Sequence, residues 1–453
     1  MKPVTCVMSL KLVNAKLWLE TGVYEGGLVT ENGAVSKIGK ESRLPPAENI
    51  IDAGGKLIVP GLVDLHVHFR EPGYTQKEDF ASGTRAAAVG GVTTVLDEPN
   101  NKPVTGSAEA LQAKQELVKD HAYVDYLFNM AVYADRLSEI RSATNIGVNV
   151  FAFFDELGDK PTGMKDTGVL YDALTQVEAG DGLALLNCRE SDQVIHTIRK
   201  LKNAGKNTLR DYNNSFPHVA ESVGAAKRIL LAHSVGVRTH MREVSTVETV
   251  DVLRSLKPYM TDITAEVRPD HLFLNQENTE KLGPYGQQWT PIRTRNDQEA
   301  LWEALNEGTV NIIASDHATH MVEEKRQGLG NIWNSPPGLP AIESMLPLLL
   351  NAVHEGKTKL DKIIQATSVN PAKRLGLYPR KGCIEIGSDA DLVILDLEAE
   401  KKITADEMYA KSKWTPYEGW RTVGAPVTTI LRGVPVYHEG EIVSKPLGQY
   451  ISS

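Results

Sequence analysis

The chain has 453 residues, of which 41% are hydrophobic and 24% charged, with a formal net charge of −9. At roughly 150 residues per domain this is more than one small domain, and the acidic balance speaks against a nucleic-acid surface, which needs a clustered basic excess. The most apolar stretch, 345–353, is far too short to span a bilayer, so no membrane partner is expected. Lys2, Lys11 and Lys16 interrupt the apolar N-terminal residues, which argues against a signal peptide. Cys6, Cys188 and Cys383 are too widely spaced for a disulfide framework or a cysteine zinc site. A reduced, cytoplasmic setting is expected.

Residues 1–56 read as short strands, 10–13, 17–20 and 34–38, with turn signals at Gly26-Gly27 and Asn32-Gly33 and a stop at Pro45-Pro46. The long middle alternates apolar runs with helix-like segments such as 108–120 and 246–256. Candidate strands are 57–68, 92–97, 123–132, 148–154, 182–187, 238–244, 261–267 and 311–316. Eight such runs alternating with helices fit a closed parallel barrel. The far end, with runs at 389–395, 427–431 and 434–438, is β-like again. The expected fold is therefore α/β: a (β/α)8 TIM-like barrel over 57–375, with a small composite β-sandwich built from 1–56 and 376–453.

In such a barrel the C-terminal strand ends gather at one mouth, where the chemistry sits. Strand one carries His66 and His68 at i and i+2, which strand geometry sends to one face, where two imidazoles can hold a metal ion; Arg70 follows. Strand two ends in Asp97-Glu98-Pro99-Asn100, strand five in Asn187-Cys188-Arg189-Glu190, and strand six carries His240, Arg242 and Glu243. Strand eight ends in Asp316-His317-Ala318-Thr319-His320. A lone histidine on a strand is usually a core residue. Five strand ends with such groups point to a functional cleft.

These residues carry a resemblance. Asp64-x-His66-x-His68-x-Arg70-x-Pro72-Gly73, Gly90-Gly91-Val92-Thr93-Thr94, Pro99-Asn100, Val244-Ser245-Thr246, Ser315-Asp316-His317-Ala318-x-His320 and Asn370-Pro371-Ala372 resemble the dihydroorotase, hydantoinase and allantoinase group of cyclic amidohydrolases. The closing stretch from Lys381-Gly382 to Asp391-Leu392-Val393, with Lys411-Ser412-Lys413, is similar to the hydantoinase and allantoinase branch. The resemblance spans nearly the whole chain. It implies a barrel holding two divalent ions, usually zinc, that activate water against a ring amide, in a homo-oligomer, dimer or tetramer.

By the same resemblance His66 and His68 are metal ligands, and Asp316 is both ligand and general acid/base. Arg70, Asn100 and His320 match the residues that hold a substrate carboxylate. Three positions depart from the pattern. Ala152 stands where a carboxylated lysine bridges the metals, Asn187 stands at the strand-five histidine, and Glu243 at the strand-six histidine. Asp155 could replace the bridge only if its strand shifts by two residues. Trp289 replaces an asparagine of the pattern, which counts against dihydroorotate itself as substrate.

Two divalent ions about 3.6 Å apart repel by roughly 18 kcal/mol at an effective dielectric of about 20, which an anionic bridge must offset. The expectation is therefore one divalent ion, zinc, on His66, His68 and Asp316. Glu243 is either a fourth ligand, a general base or a partner of Arg242; Asn187 is a hydrogen-bonding group for substrate; Cys188 is packing on the opposite strand face. The expected activity is hydrolysis of a ring amide or imide in a small carboxylate-bearing cyclic amide. A non-catalytic scaffold or partner subunit that has lost its binuclear centre, and different chemistry on the same cleft, are the alternatives.

Overall fold

The computed structural model describes residues 9–157, 160–260 and 262–452. Lys2, Cys6 and Thr261, at the head of the seventh expected strand, lie outside them. Among the described residues eight parallel strands form a ring: β1 Leu62–Val67, β2 Val92–Asp97, β3 Asp125–Phe128 continued by Met130–Ala131, β4 Val150–Phe153, β5 Leu183–Asn187, β6 Arg238–Arg242, β7 Ile263–Val267 and β8 Ile312–Ile313. Each pairs with the next in parallel. The ring closes where Val67 bridges His317 and the His68 amide donates to the His317 carbonyl at 2.9 Å. That closure sets the end of β8 beside the end of β1.

Side-chain alternation builds two apolar layers. Val63, Leu65, Leu96, Leu127, Val150, Leu183, Leu185 and Ile312 fill the barrel interior, plugged below by Leu375, Leu377 and Ile451. Residues between them, such as Val95, Phe151 and Leu186, pack outward under the helices. Helix Val247–Leu256 starts where the Thr246 side chain accepts from the Thr249 amide, and helix Ala108–Val118 where Ser107 caps the Ala110 amide.

The run 57–68 is divided between two bodies. Leu57–Pro60 pairs with Ser9–Leu19 and Leu392–Lys402 in a nine-stranded mixed sheet made from both termini, and only from Leu62 does the chain enter the barrel. The boundary expected between residues 56 and 57 therefore falls at Gly61, whose amide bonds to the Asp391 carbonyl at 2.8 Å. Asn32-Gly33 is a two-residue hairpin turn with φ of 52° and 84°. Gly26-Gly27 is not a turn but lies inside strand Gly22–Glu31. There a Cβ on Gly27 would stand 2.2 Å from the Leu12 carbonyl oxygen, beside the register shift that follows Leu12.

The motif around Lys381 clamps the two bodies together. Lys381 Nζ, buried, lies 2.7 Å from Asp125 of β3, 2.5 Å from Asp391 and 3.0 Å from Asp389. Its ammonium fills a pocket that three carboxylates would otherwise leave strongly negative.

Candidate active site

The mouth of the barrel holds a cleft of about 330 Å³ whose walls include His66, His68, Arg70, Asn100, Asn187, Glu243, Asp316 and His320. The strand-end residues expected to bind metal or substrate or to move protons therefore meet there, whereas Asp97, Glu98, His240 and His317, also at strand ends, are not part of its lining. A larger hollow of about 600 Å³ lies between helix Ile342–His354 and the terminal sheet, but none of the groupings of metal-type donors among the described residues falls on it.

Local backbone geometry aims these side chains. The β1–β2 register shifts between Asp64 and Val67, and Asp64 Oδ1 takes the His66 and Ser315 amides at 3.2 and 3.1 Å. Arg70, Glu243, Thr290 and Asp316 all have left-handed backbones, with φ of 61°, 60°, 57° and 46°. An L-residue held there costs on the order of 1–3 kcal/mol, a strain that concentrates at functional sites.

His68 Nε2 lies 2.9 Å and His66 Nε2 3.3 Å from Asp316 Oδ1, and the three donor atoms lie within 4.8 Å of one another. The far nitrogen of each ring is anchored: His66 Nδ1 is 2.6 Å from Glu266 Oε1, and His68 Nδ1 is 2.9 Å from Asn100 Oδ1. Such outer partners fix ring orientation and leave Nε2 facing the site, as metal-binding histidines require. Glu266 also holds His240 Nε2 at 2.9 Å. Burial works against the Glu266 charge, but His66 and His240 outweigh it and hold the carboxyl far below its usual range.

Asp316 Oδ2 accepts from Arg268 Nη1 at 2.7 Å. Burial opposes its charge too, yet His66, His68 and Arg268 keep it ionised. Arg242 reaches across the barrel, with Nη1 3.0 Å from Glu98 Oε2 and Nη2 touching His66 Nε2. Burial and Arg242 lower the pKa of His66, Asp316 and Glu266 raise it, and the balance is about 9.

Glu243 does not pair with its neighbour Arg242. Its Oε1 accepts from Asn187 Nδ2 at 2.6 Å, its Oε2 accepts from the Thr290 hydroxyl, and Arg268 Nη1 stands 3.9 Å away. Asn187 Oδ1 is buried without a partner. Asp155 does not supply a missing bridge. It meets Arg228 Nη2 at 2.8 Å and Ser191 Oγ at 2.5 Å, because β4 keeps its alternation. Val150 is in the barrel interior and Phe154 in the cleft wall, so Ala152 faces inward and Asp155 outward. The inward position thus offers a methyl group, and the two positions on β5 and β6 offer an amide and a carboxylate bonded to each other. The donor chemistry suits an ion on His66, His68 and Asp316, and lacks an anionic bridge to a second.

Arg70 Nη2 is 3.3 Å from His320 Nε2. Burial, then Arg70 and Lys77, push the His320 imidazolium well below its usual range, so the ring is neutral. Trp414 Nε1 pins the His320 carbonyl at 2.7 Å, a contact from the C-terminal Lys411-to-Gly419 stretch. The Val244-Ser245-Thr246 motif is structural: Ser245 and Thr246 amides bond Glu221, which Arg293 meets at 3.0 Å. Cys188 packs in the outer apolar layer.

Sequence reasoning gave no role to Glu266 on β7 or to Arg268 just beyond it. Their signal was present, since Thr264, Glu266 and Arg268 alternate along a strand and only one side of it is the barrel interior.

The model of the amidohydrolase family matches residues 57–436. The dihydroorotase of Methanosarcina acetivorans is 33% identical, over 96% of this chain and 94% of that protein. The L-hydantoinase of Paenarthrobacter aurescens is 30% identical, over 97% of each. Among solved structures, the L-hydantoinase (dihydropyrimidinase) from Arthrobacter aurescens superposes with a TM-score of 0.94 at 28% identity, over 98% of this chain and 99% of that one. With the barrel, its terminal sheet and the strand-end residues in place, the chain belongs to the amidohydrolase family.

Proposed function

We propose that the protein is a dihydroorotase-like cyclic amidohydrolase that opens a ring amide or imide in a small, carboxylate-bearing substrate with the help of one divalent ion. The observation that carries this reading is the convergence of His66 Nε2, His68 Nε2 and Asp316 Oδ1 within 4.8 Å in the cleft that Arg70, Asn100 and His320 also line. Those first three residues would hold the ion, which when bound supplies Lewis acidity that activates water and polarises the carbonyl.

The chain's own groups do the rest. Asp316, ionised, takes the proton of the attacking water and delivers it to the ring nitrogen as the C–N bond breaks. Glu243, another carboxylate on the wall, fixes Asn187, whose unpartnered Oδ1 accepts a ring N–H. Arg242, paired with Glu98, keeps a fixed positive charge beside His66. Arg70 offers its planar fork to the substrate carboxylate, with neutral His320 and the amide nitrogen of Asn100 completing the clamp.

Zinc suits two imidazoles and a carboxylate with a position open to water. Buried free thiols at Cys188 and Cys383 support a reducing, cytoplasmic setting, and no helix among the described residues is long and apolar enough to cross a membrane. Val219, Val223 and Leu230, exposed along one stripe of helix His218–Val235, support a homo-oligomer, since a second copy would cover them. The retained donor set and the carboxylate clamp count against a non-catalytic scaffold.

The test is hydrolysis of a panel of five- and six-membered cyclic amides with and without a ring carboxylate, on wild type and Arg70→Met. Wild type turns over the carboxylate-bearing members. Arg70→Met raises KM for those by about tenfold or more, the worth of a charge-assisted hydrogen bond, and leaves the uncharged members within about twofold. No turnover across the panel removes the assignment; an equal KM effect on both groups removes the carboxylate clamp.

A further inference from the structure

Four arginines bring their charge to the cleft, and two of them have no carboxylate partner. Arg242 is matched by Glu98 at 3.0 Å, and Arg268 by Asp270 at 3.0 Å and Asp316 at 2.7 Å. Arg70 and Arg189, only 9% and 7% exposed, make no ion pair among the described residues. Arg70 Nε and Arg189 Nη1 are buried with no hydrogen-bond partner. A buried guanidinium without a counter-charge is costly, and a protein retains one where a ligand supplies the missing charge.

The backbone of Arg189 is also firmly held. Its amide bonds the Asn187 carbonyl at 3.1 Å, and its own carbonyl accepts from Arg228 Nη1 at 2.5 Å. Gly224 of helix His218–Val235 closes on its backbone so tightly that a Cβ there would stand 2.3 Å from the Arg189 carbonyl carbon. Its guanidinium lies over the Trp289 ring at 4.8 Å, and Trp289 is braced edge-on by Phe216 at 5.1 Å. Stacking on an aromatic face holds an arginine while leaving its in-plane N–H groups free for an anion. Trp289 is one of the residues that depart from the family pattern, and the unpaired Arg189 lies on it.

Resting on the cyclic-amide reading above, we infer that Arg189 on its Trp289 shelf is a second anion subsite, and that the cleft binds small dicarboxylates with Arg70 taking one carboxylate and Arg189 the other. The second carboxylate has two chemical sources. A substrate ring can already bear two. Alternatively the reaction makes it: water adds its oxygen to the ring carbonyl carbon, the C–N bond breaks, the nitrogen takes one proton, and the acid so formed loses another, leaving a new carboxylate on the opened chain.

Calorimetric binding to the metal-loaded protein tests this without turnover, using open-chain ureido acids with one and two carboxylates. Non-hydrolysable N-methylated rings with one and two carboxylates form the second arm. Wild type binds the open-chain dicarboxylate about tenfold or more tighter than its monocarboxylate analogue, the worth of one charge-assisted pair. Arg189→Gln abolishes that ratio while keeping monocarboxylate affinity within about twofold, and Arg189→Lys, which keeps charge but loses the fork, retains part of it. A matching ratio in the ring arm assigns the second carboxylate to the substrate; a ratio confined to the open chain assigns it to the product. An unchanged ratio in Arg189→Gln and Arg189→Lys overturns the subsite, even if the protein hydrolyses cyclic amides. A ratio that depends on Arg189 in a protein that hydrolyses none leaves the subsite standing and overturns the enzymatic reading instead.

Discussion

Asp316→Asn lowers kcat on a carboxylate-bearing cyclic amide by about 10³-fold or more. The residue sits just beyond β8 in a left-handed conformation, φ 46°, that points one oxygen at both imidazoles and the other at Arg268. Asparagine keeps the shape but removes the charge that the two histidines and Arg268 are arranged around. It also removes a basic oxygen able to carry the proton between water and ring nitrogen. Loss of a positioned proton carrier alone costs about 10²–10⁴-fold, and loss of an anionic ligand adds to it. KM changes little, because Arg70, Asn100 and His320 are untouched. A variant that binds its ion normally and keeps kcat within about tenfold of wild type would contradict the role given to Asp316.

Arg268→Met produces the largest loss of stability, roughly 3–5 kcal/mol, the range for removing one partner of a buried charge pair. Arg268 is wholly buried and spends its fork on two carboxylates, Asp270 at 3.0 and 3.1 Å and Asp316 at 2.7 Å. It also donates to the carbonyls of Trp289 at 2.6 Å and Thr290 at 2.7 Å. Methionine fills much of the volume but leaves two buried anions and two carbonyls without their donor. The same segment carries the Thr290 hydroxyl that holds Glu243, so turnover falls with stability. Thermal unfolding read by circular dichroism measures the first effect, and an unchanged midpoint would show that the carboxylates find other partners.

How much of this was readable beforehand follows from strand geometry. His66, His68 and Asp316 could be brought together on paper because a closed ring makes the first and eighth strands neighbours, and because i and i+2 share a face. Asn187 and Glu243 were placed for the same reason. Arg242 was harder: adjacency suggested Glu243 as its partner, but the left-handed backbone at Glu243 turns that side chain toward Asn187, and Arg242 crosses the barrel to Glu98. Such a kink leaves no mark in a hydrophobicity pattern.

The pairing of Glu266 with His66 spans 200 positions and depends on the barrel being closed. The divided run 57–68 was invisible for a different reason. Both halves are apolar, one serving a terminal sheet and one a barrel, and buried strands read alike whatever sheet they join. Asp155 shows the value of the period-two rule. A strand that keeps its alternation cannot offer Ala152 and Asp155 to one cleft.

The proposed reading is one divalent ion on His66, His68 and Asp316, with the fixed charge of Arg242 beside it. Metal content per chain, measured by inductively coupled plasma mass spectrometry on purified protein of known specific activity, tests this most directly. The expected result is one ion per active chain, lost together with turnover in the His66→Ala, His68→Ala double variant. Two ions per chain, or full turnover with none, would contradict it.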